Sequence, residues 1–442
     1  MASPTRVCEP AYAGRRRQEV ITVDVIAAVI FAGALLLIAF EWVHRTKVAL
    51  VGAALMVMLG VLDQDSAIDA VDWATLALLT GMMVIVGLTD RTGVFTYLAL
   101  RVAQLSAGSA LRLVFLLAAV TGLLSAFLDN LTAILLVVPI TLLLADLLRV
   151  PAIPLVIVEI LASNIGGTAT LIGDPPNIMI GTHVRQLTFT DFIVNLAPVA
   201  GVTLLVVTTL IYFMFRRTLT IAPERAKEVD RLDPARDMRG QPYVKRSIAV
   251  LLGTIVAFFL HSPLHLEPAV VAVAGAAVML LVAADDVEDA LERVEWSTIF
   301  FFVGLFVMVG GLEEQGIIRE VAQLLGDVTD GSPTAEAMAI LWGAAAGSAL
   351  VDNIPFTAAM IPVVDELAVD HEFSDTNWWA LALGACFGGN ATIIAAAANV
   401  AASGIAERNG QPISFMRFLA VGLPVTLVSL IIATVYLLAF QL

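Results

Sequence analysis

Long apolar runs separated by short polar stretches fill the chain from residue 21 to its end. Ile21 to Phe40, Phe192 to Phe215 and Phe418 to Phe440 each reach the roughly 20 residues needed to cross a bilayer core. The runs are continuous and do not alternate between polar and apolar positions, so the pattern predicts helices and excludes a membrane barrel. Two stretches interrupt this pattern. Asn164 to Gly181 carries four glycines and the pair Pro175-Pro176, which forbid one continuous helix. Gly388 to Val400 is a second interruption. A helix broken at membrane depth frees backbone groups that are costly in hydrocarbon unless they are buried in protein or line a water-filled cavity. A loop at the membrane surface is the bland explanation of the first break, but its polar content favours a site. Asn164, Thr168, Thr170, Asp174 and Asn177 bring amides and oxygens to the freed carbonyls.

The two breaks lie on one another without gaps. At an offset of 222, Gly166 falls on Gly388, Gly167 on Gly389, Thr170 on Thr392 and Asn177 on Asn399. Asn390 replaces Thr168, while Asp174, Pro175 and Pro176 become alanines. Further upstream the offset is 223: Trp73 falls on Trp296, Gly81 on Gly304, Gly93 on Gly316 and Asp129-Asn130 on Asp352-Asn353. Such self-similarity marks a duplicated fold. It divides the chain into an N-terminal tail (1–20), a first membrane repeat (21–215), a polar linker (216–246) and a second repeat (247–442). In each half two ordinary spans lead to a glycine-bearing segment, then to a span ending on the Asp-Asn pair, an apolar segment, the break and a long closing span. The expectation is an all-α polytopic membrane protein with about ten to twelve spans.

Composition agrees with this reading, since 59% of residues are hydrophobic and 14% charged, far from the balance of a soluble globule. The net charge of -15 is largely loop carboxylates, notably Asp63 to Asp72 and Asp285 to Glu295, which read as short solvated segments. Arg216 to Arg246 holds nine Lys or Arg against five acids, which favours the cytoplasmic side for the linker. The tail, with Arg15, Arg16 and Arg17, competes for that side. No small-residue cleavage site ends the first run, so it reads as a retained helix. Cys8 and Cys386 make no disulfide framework or metal motif, and His183 reads as a surface residue. Neither a cofactor nor a bound metal is expected.

Acids inside apolar runs are expensive, by about 2.5 to 3.5 kcal/mol on the insertion scale, and are candidate functional groups. Asp129 and Asp352 sit 48 and 47 residues before the break asparagines. The Asp-Asn pairs also suit capped hairpin tips, with Thr132 and Thr357 nearby. Glu159 has Leu381 at its repeat-related position; a proton-handling group and a residue at the membrane edge are equally open. Asp174 is likewise unmatched.

The run Glu159 to Asn177, the two Asp-Asn pairs and Gly388-Gly-Asn-Ala-Thr392 resemble the ion transporter superfamily. Within it they resemble the group that joins arsenite-efflux permeases (ArsB), sodium/proton antiporters (NhaD) and the melanosomal P protein. The resemblance implies inverted repeats, each with a re-entrant hairpin and a discontinuous helix, a site between them and an elevator-like movement. Dicarboxylate members carry Ser-Asn-Thr at the tips; the carboxylates found here argue against a dianionic substrate. Asn130, Asn164, Thr168, Thr170, Asn177, Asn353, Asn390, Thr392 and Asn399 are the expected substrate-binding residues. Asp129, Asp352, Asp174 and Glu159 are the expected proton or cation couplers. Proton-coupled efflux of arsenite or antimonite, solutes that want an uncharged polar ring, is the first expectation; sodium/proton antiport is the alternative. A passive channel is a weaker option. A membrane-embedded enzyme is weaker still, because no His-Glu-x-x-His, Gly-x-Ser-x-Gly or phosphate loop is visible. Use of ATP would require an ATPase partner, nucleic acid is not an expected partner, and a multi-pass position in the inner (plasma) membrane is expected.

Overall fold

The structure, a computed structural model, describes residues 11–40, 42–236, 238–283, 286–369 and 375–442; Cys8 and Asp285 lie outside them. The described residues are helical and contain no strand. The first repeat comprises α1 (Ala11–Ala39), α2 (Arg45–Met58), α3 (Gln64–Asp69), α4 (Trp73–Asp90), α5 (Val94–Leu105), α6 (Ala110–Leu128), α7 (Asn130–Leu148), α8 (Ala152–Gly167), α9 (Pro175–His183) and α10 (Phe189–Phe215). The linker contributes α11 (Pro223–Asp230). The second repeat comprises α12 (Val244–Leu260), α13 (Pro268–Ala283), α14 (Val287–Leu291), α15 (Trp296–Glu314), α16 (Ile317–Thr329), α17 (Pro333–Leu350), α18 (Asn353–Val369), α19 (Asp375–Gly388), α20 (Ala397–Arg408) and α21 (Phe415–Phe440). Helix for helix, α1–α10 correspond to α12–α21.

Among the described residues six helices, α4, α6, α7, α10, α15 and α21, are long and apolar enough to cross a membrane by length and composition. The halves of the interrupted helices, α8 with α9 and α19 with α20, are shorter because a break divides each pair. Small elements also repeat. Asp63 caps α3 by accepting from the Ser66 N–H at 2.8 Å, which holds its carboxyl below the usual range. Asp286 caps α14 from Glu288 at 2.9 Å. The helices α5 and α16, of 12 and 13 residues, depart from the expected order, which ran from the glycine-bearing segment directly to the hairpin. Each starts at a glycine with positive φ, Gly93 at 72° and Gly316 at 77°, a conformation that strains a residue with a Cβ.

Contacts between the repeats fix their relation. The pairs α4 with α13 and α2 with α15 pack together. A Cβ on Gly81 would lie 2.7 Å from the Ala272 carbonyl carbon, and one on Gly304 2.5 Å from that of Ala49. Gly304 stands 223 residues after Gly81 and Ala272 stands 223 after Ala49, so one crossing is made twice with partners exchanged, as a two-fold axis demands. Without a hydrophobic drive between helices in lipid, such backbone approach is how membrane helices gain packing energy.

Tracing the chain shows the inversion. The linker follows α10, and α12 returns from it to place His261 against the Phe189 N–H at 3.1 Å, at the far end of α10. On that opposite face Asp72 meets Thr182 and Gln441 meets Asn195. Gln104 bonds the linker carbonyls of Val229 and Leu232, so α5, and with it the open end of hairpin α6–α7, lies on the linker face. The open end of hairpin α17–α18 lies on the opposite face, where Asp365 meets His183.

Candidate functional site

Each break is built by small residues and closed by one asparagine. In the first, α8 ends at Gly167, residues 168–174 are irregular, and Pro175-Pro176 start α9 where their missing N–H groups cost nothing. A Cβ on Gly166 would stand 2.2 Å from the Gly122 carbonyl oxygen, and one on Gly388 2.6 Å from that of Ala345. Only glycine lets hairpin and break lie this close. The Asn177 amide donates to the Thr168 and Thr170 carbonyls at 3.0 and 2.8 Å. That of Asn399 donates to Gly389 and Thr392 at 2.7 and 2.9 Å. The carbonyls that a broken helix strands are thereby satisfied from within.

Hydroxyls tie each break to its hairpin by the same rule. Ser125 donates to the Ser163 carbonyl at 2.6 Å and Ser348 to that of Ala385 at 2.7 Å. Thr170 donates to Ala126, and Thr392 to Ala349 at 2.9 Å. Thr168 donates to Asn164 at 2.8 Å and Thr357 to Asn353 at 2.7 Å, each within its own helical stretch. The threonine hydroxyl protons are thus committed to backbone, and only their lone pairs are left to face a solute.

The two breaks meet. Asn164 donates to the side-chain oxygens of Asn390 at 3.0 Å and Asn399 at 2.9 Å, and accepts from Asn130 at 3.2 Å. Asn353 donates to Asp174 at 3.1 Å. Cys386, at the place related to Asn164, sets its Sγ 3.7 Å from Asn177 Oδ1; it is the weak counterpart of the Asn164–Asn399 bond. Asn130, Asn164, Asp174, Asn177, Asn353, Asn390 and Asn399 are all buried. Within this knot Asn390 Nδ2 has no hydrogen-bond partner. Asp174 Oδ2 also accepts no bond of ordinary geometry. An unmet donor and an unmet acceptor, each costing about 1–3 kcal/mol when buried, are groups that a small polar solute would satisfy.

The tips lie at the same depth. Asp129 has φ 82° and ψ 152°, strained for a residue with a Cβ, and caps α7 by accepting from Thr132 N at 3.0 Å and Thr132 Oγ1 at 2.7 Å. Asp352 accepts from the Ile354 N–H at 2.9 Å and faces the Arg45 guanidinium at 3.5 Å. Asp129, Asn130, Asn353, Arg45, Glu295 and Thr298 surround a cavity of about 20 Å³, room for about one water. It shares Arg45, Leu131, Glu295, Thr298 and Ala397 with a 540 Å³ cavity on the linker face. On the opposite face a 550 Å³ cavity is lined by Asp69, Asp72, His183, Glu313 and Asp365, among others, and by none of the expected site residues.

Glu159 is fully buried, accepts a hydrogen bond from Thr141 on α7, and lines neither cavity that approaches the tips. Although the breaks themselves hold no Lys or Arg, Arg45 reaches the second tip from α2. Arg45 and Glu295 are the residues that sequence reasoning missed. The available signal was the acid directly ahead of each repeated tryptophan, Asp72 and Glu295, 223 residues apart.

Comparison with known proteins follows the same outline. Residues 35–384 match the family model CitMHS, described as "Citrate transporter". An uncharacterized transporter of Mycobacterium tuberculosis (Rv2684) is 42% identical over 421 residues, 94% of this chain and 98% of that protein. The P protein of Homo sapiens is 34% identical over 512 residues, 96% of this chain and 60% of that protein. The crystal structure of the Alcanivorax borkumensis YdaH transporter covers 91% of this chain and 97% of its own at a TM-score of 0.57 and 17% identity, a likeness of fold.

Proposed function

Because the chain belongs to the CitMHS family of membrane transporters, we propose that it is a secondary active transporter. In this reading it carries a small uncharged polar solute between the two breaks, in exchange for protons, by elevator-like alternating access. Arsenite or antimonite is the solute the lining suits best: amides, carbonyls and threonine oxygens surround the centre, and the trihydroxide both donates and accepts hydrogen bonds. The single observation that carries the reading is the Asn164 amide, bonded at once to Asn390 and Asn399 of the other break. Asp129, Asp352 and Asp174 would exchange the driving protons, with Glu159 as a buried reserve on α8. Citrate, the substrate in the family's description, fits less well as a free trianion, since Asp129, Asp352 and Glu295 outnumber the one guanidinium beside them. That surplus of carboxylates favours a second reading, sodium/proton antiport, in which the same oxygens hold a hard cation.

The proposed setting is the inner (plasma) membrane with the basic linker on the cytoplasmic side; any ATP use would fall to a partner subunit. The test uses purified protein in liposomes under an imposed pH gradient. Arsenite accumulation against its gradient, abolished by a protonophore, is the expected result. Collapse of the pH gradient by sodium without arsenite selects the second reading, and neither response overturns both.

A further inference from the structure

Arg45 is the first residue of α2, on the linker face, and has Pro268 at its repeat-related position, 223 residues on. Its guanidinium makes three contacts. Nη1 lies 3.5 Å from Asp352 Oδ2, Nη2 donates to Thr298 Oγ1 at 3.4 Å, and the group stacks 5.1 Å from the centre of the Phe301 ring. Thr298 and Phe301 belong to α15, which packs on α2, whereas Asp352 is the tip of a hairpin that packs on α19. One cation therefore ties the second tip to α2 and α15 together. Among the described residues the first tip shows no equivalent ion pair, and Asp129 is held by Thr132 of its own helix. Arg45 side-chain exposure is 22% and that of Asp352 is 7%, so the pair sits where water screens it weakly.

We propose that Arg45 is a tethered counter-ion that latches hairpin α17–α18 to α2 and α15 while the carrier is unloaded. Filling of the tip at Asp352, by a proton, by sodium or by a hydrogen-bond donor of the solute, displaces Arg45 and releases the hairpin for its crossing. A carrier with an ionised, empty tip is held in place, so it does not return empty and cation entry stays tied to solute exit. The groups that face Asp352 are Arg45 and His44 at the start of α2, Glu295 ahead of α15, Asp129 at the other tip and Asp174 ahead of α9. Among these acids Asp352 is the one that Arg45 touches as an ion pair. The latch rests on the transport reading above, but part of its test does not.

That part is accessibility. Leu131 lines both cavities next to Arg45, so Leu131→Cys in a Cys8→Ser background reports which face reaches the tips. A membrane-impermeant maleimide is expected to label it from the linker face. With Arg45→Gln added, labelling from the linker face falls and labelling from the opposite face rises at least threefold; Arg45→Lys keeps the parental pattern and serves as the folding control. Asp352→Asn breaks the same pair from its other end and produces the same shift. In liposomes with an entrapped pH or sodium indicator, Arg45→Gln leaks protons or sodium at least tenfold faster than the parent without solute, and the indicator that responds identifies the cation. An unchanged labelling pattern in both Arg45→Gln and Asp352→Asn overturns the latch even if the parent transports. A parent that moves no solute, with the labelling shift present, overturns the transport reading alone.

Discussion

The two broken helices share a frame and differ in their chemistry. Both are pressed on a hairpin through a glycine, Gly166 or Gly388. Both are closed by an asparagine that satisfies two stranded carbonyls, and both are pinned by a serine from the hairpin. Against this identical scaffold the first break carries Asn164 and Asp174, where the second carries Cys386 and Ala396. What repeats is what any helix broken in a membrane requires. What does not repeat is concentrated at the meeting point, where one break supplies the three-bonded amide and the buried carboxylate.

The comparison can be broken most severely at the glycines. Gly166→Val and Gly388→Val each drive a side chain into backbone that has nowhere to move, and both are expected to lose the monodisperse peak in fluorescence-detected size exclusion. Tolerance of either would mean that the two interfaces are not equivalent. Asp174→Asn comes next: the protein folds, but coupled uptake in liposomes falls at least tenfold, about 1.4 kcal/mol. Adding Ala396→Asp does not restore it, because the Asn353 amide is directed at position 174. Asn177→Ala and Asn399→Ala each strand two break carbonyls and should destabilise by about 1–3 kcal/mol, Asn399→Ala the more because it also unpairs the Asn164 amide; unfolding in the purified state measures it. Smallest is Cys386→Ala, which removes a 3.7 Å contact from a weak donor. It should cost about 1 kcal/mol and leave transport intact.

Much of this was legible in the chain because membrane depth makes exceptions conspicuous. Glycine, proline, asparagine and aspartate inside apolar runs located the breaks and tips, and the 222 and 223 offsets paired them. The offsets could not say why Gly81 and Gly304 match; that reason is a backbone approach to Ala272 and Ala49 in the other repeat. Arg45 was hidden for the same cause. It begins an ordinary helix, and only the packing of α2 on α15 brings it to Asp352. The short helices α5 and α16 were passed over because their 12 and 13 residues fall below spanning length. Glu159 illustrates the remaining gap: nothing in its apolar neighbours along the chain points to Thr141 on α7 as its partner.

The claim that both breaks form one centre is tested most directly by a disulfide across it. Asn177→Cys in a Cys8→Ser background places a new thiol opposite Cys386, where Sγ now stands 3.7 Å from the amide oxygen. After mild oxidation and proteolytic cutting of the 216–246 linker, the two repeats should migrate as one band without reductant and as two with it. Two bands under both conditions, from protein that still elutes as a single folded species, would contradict the account.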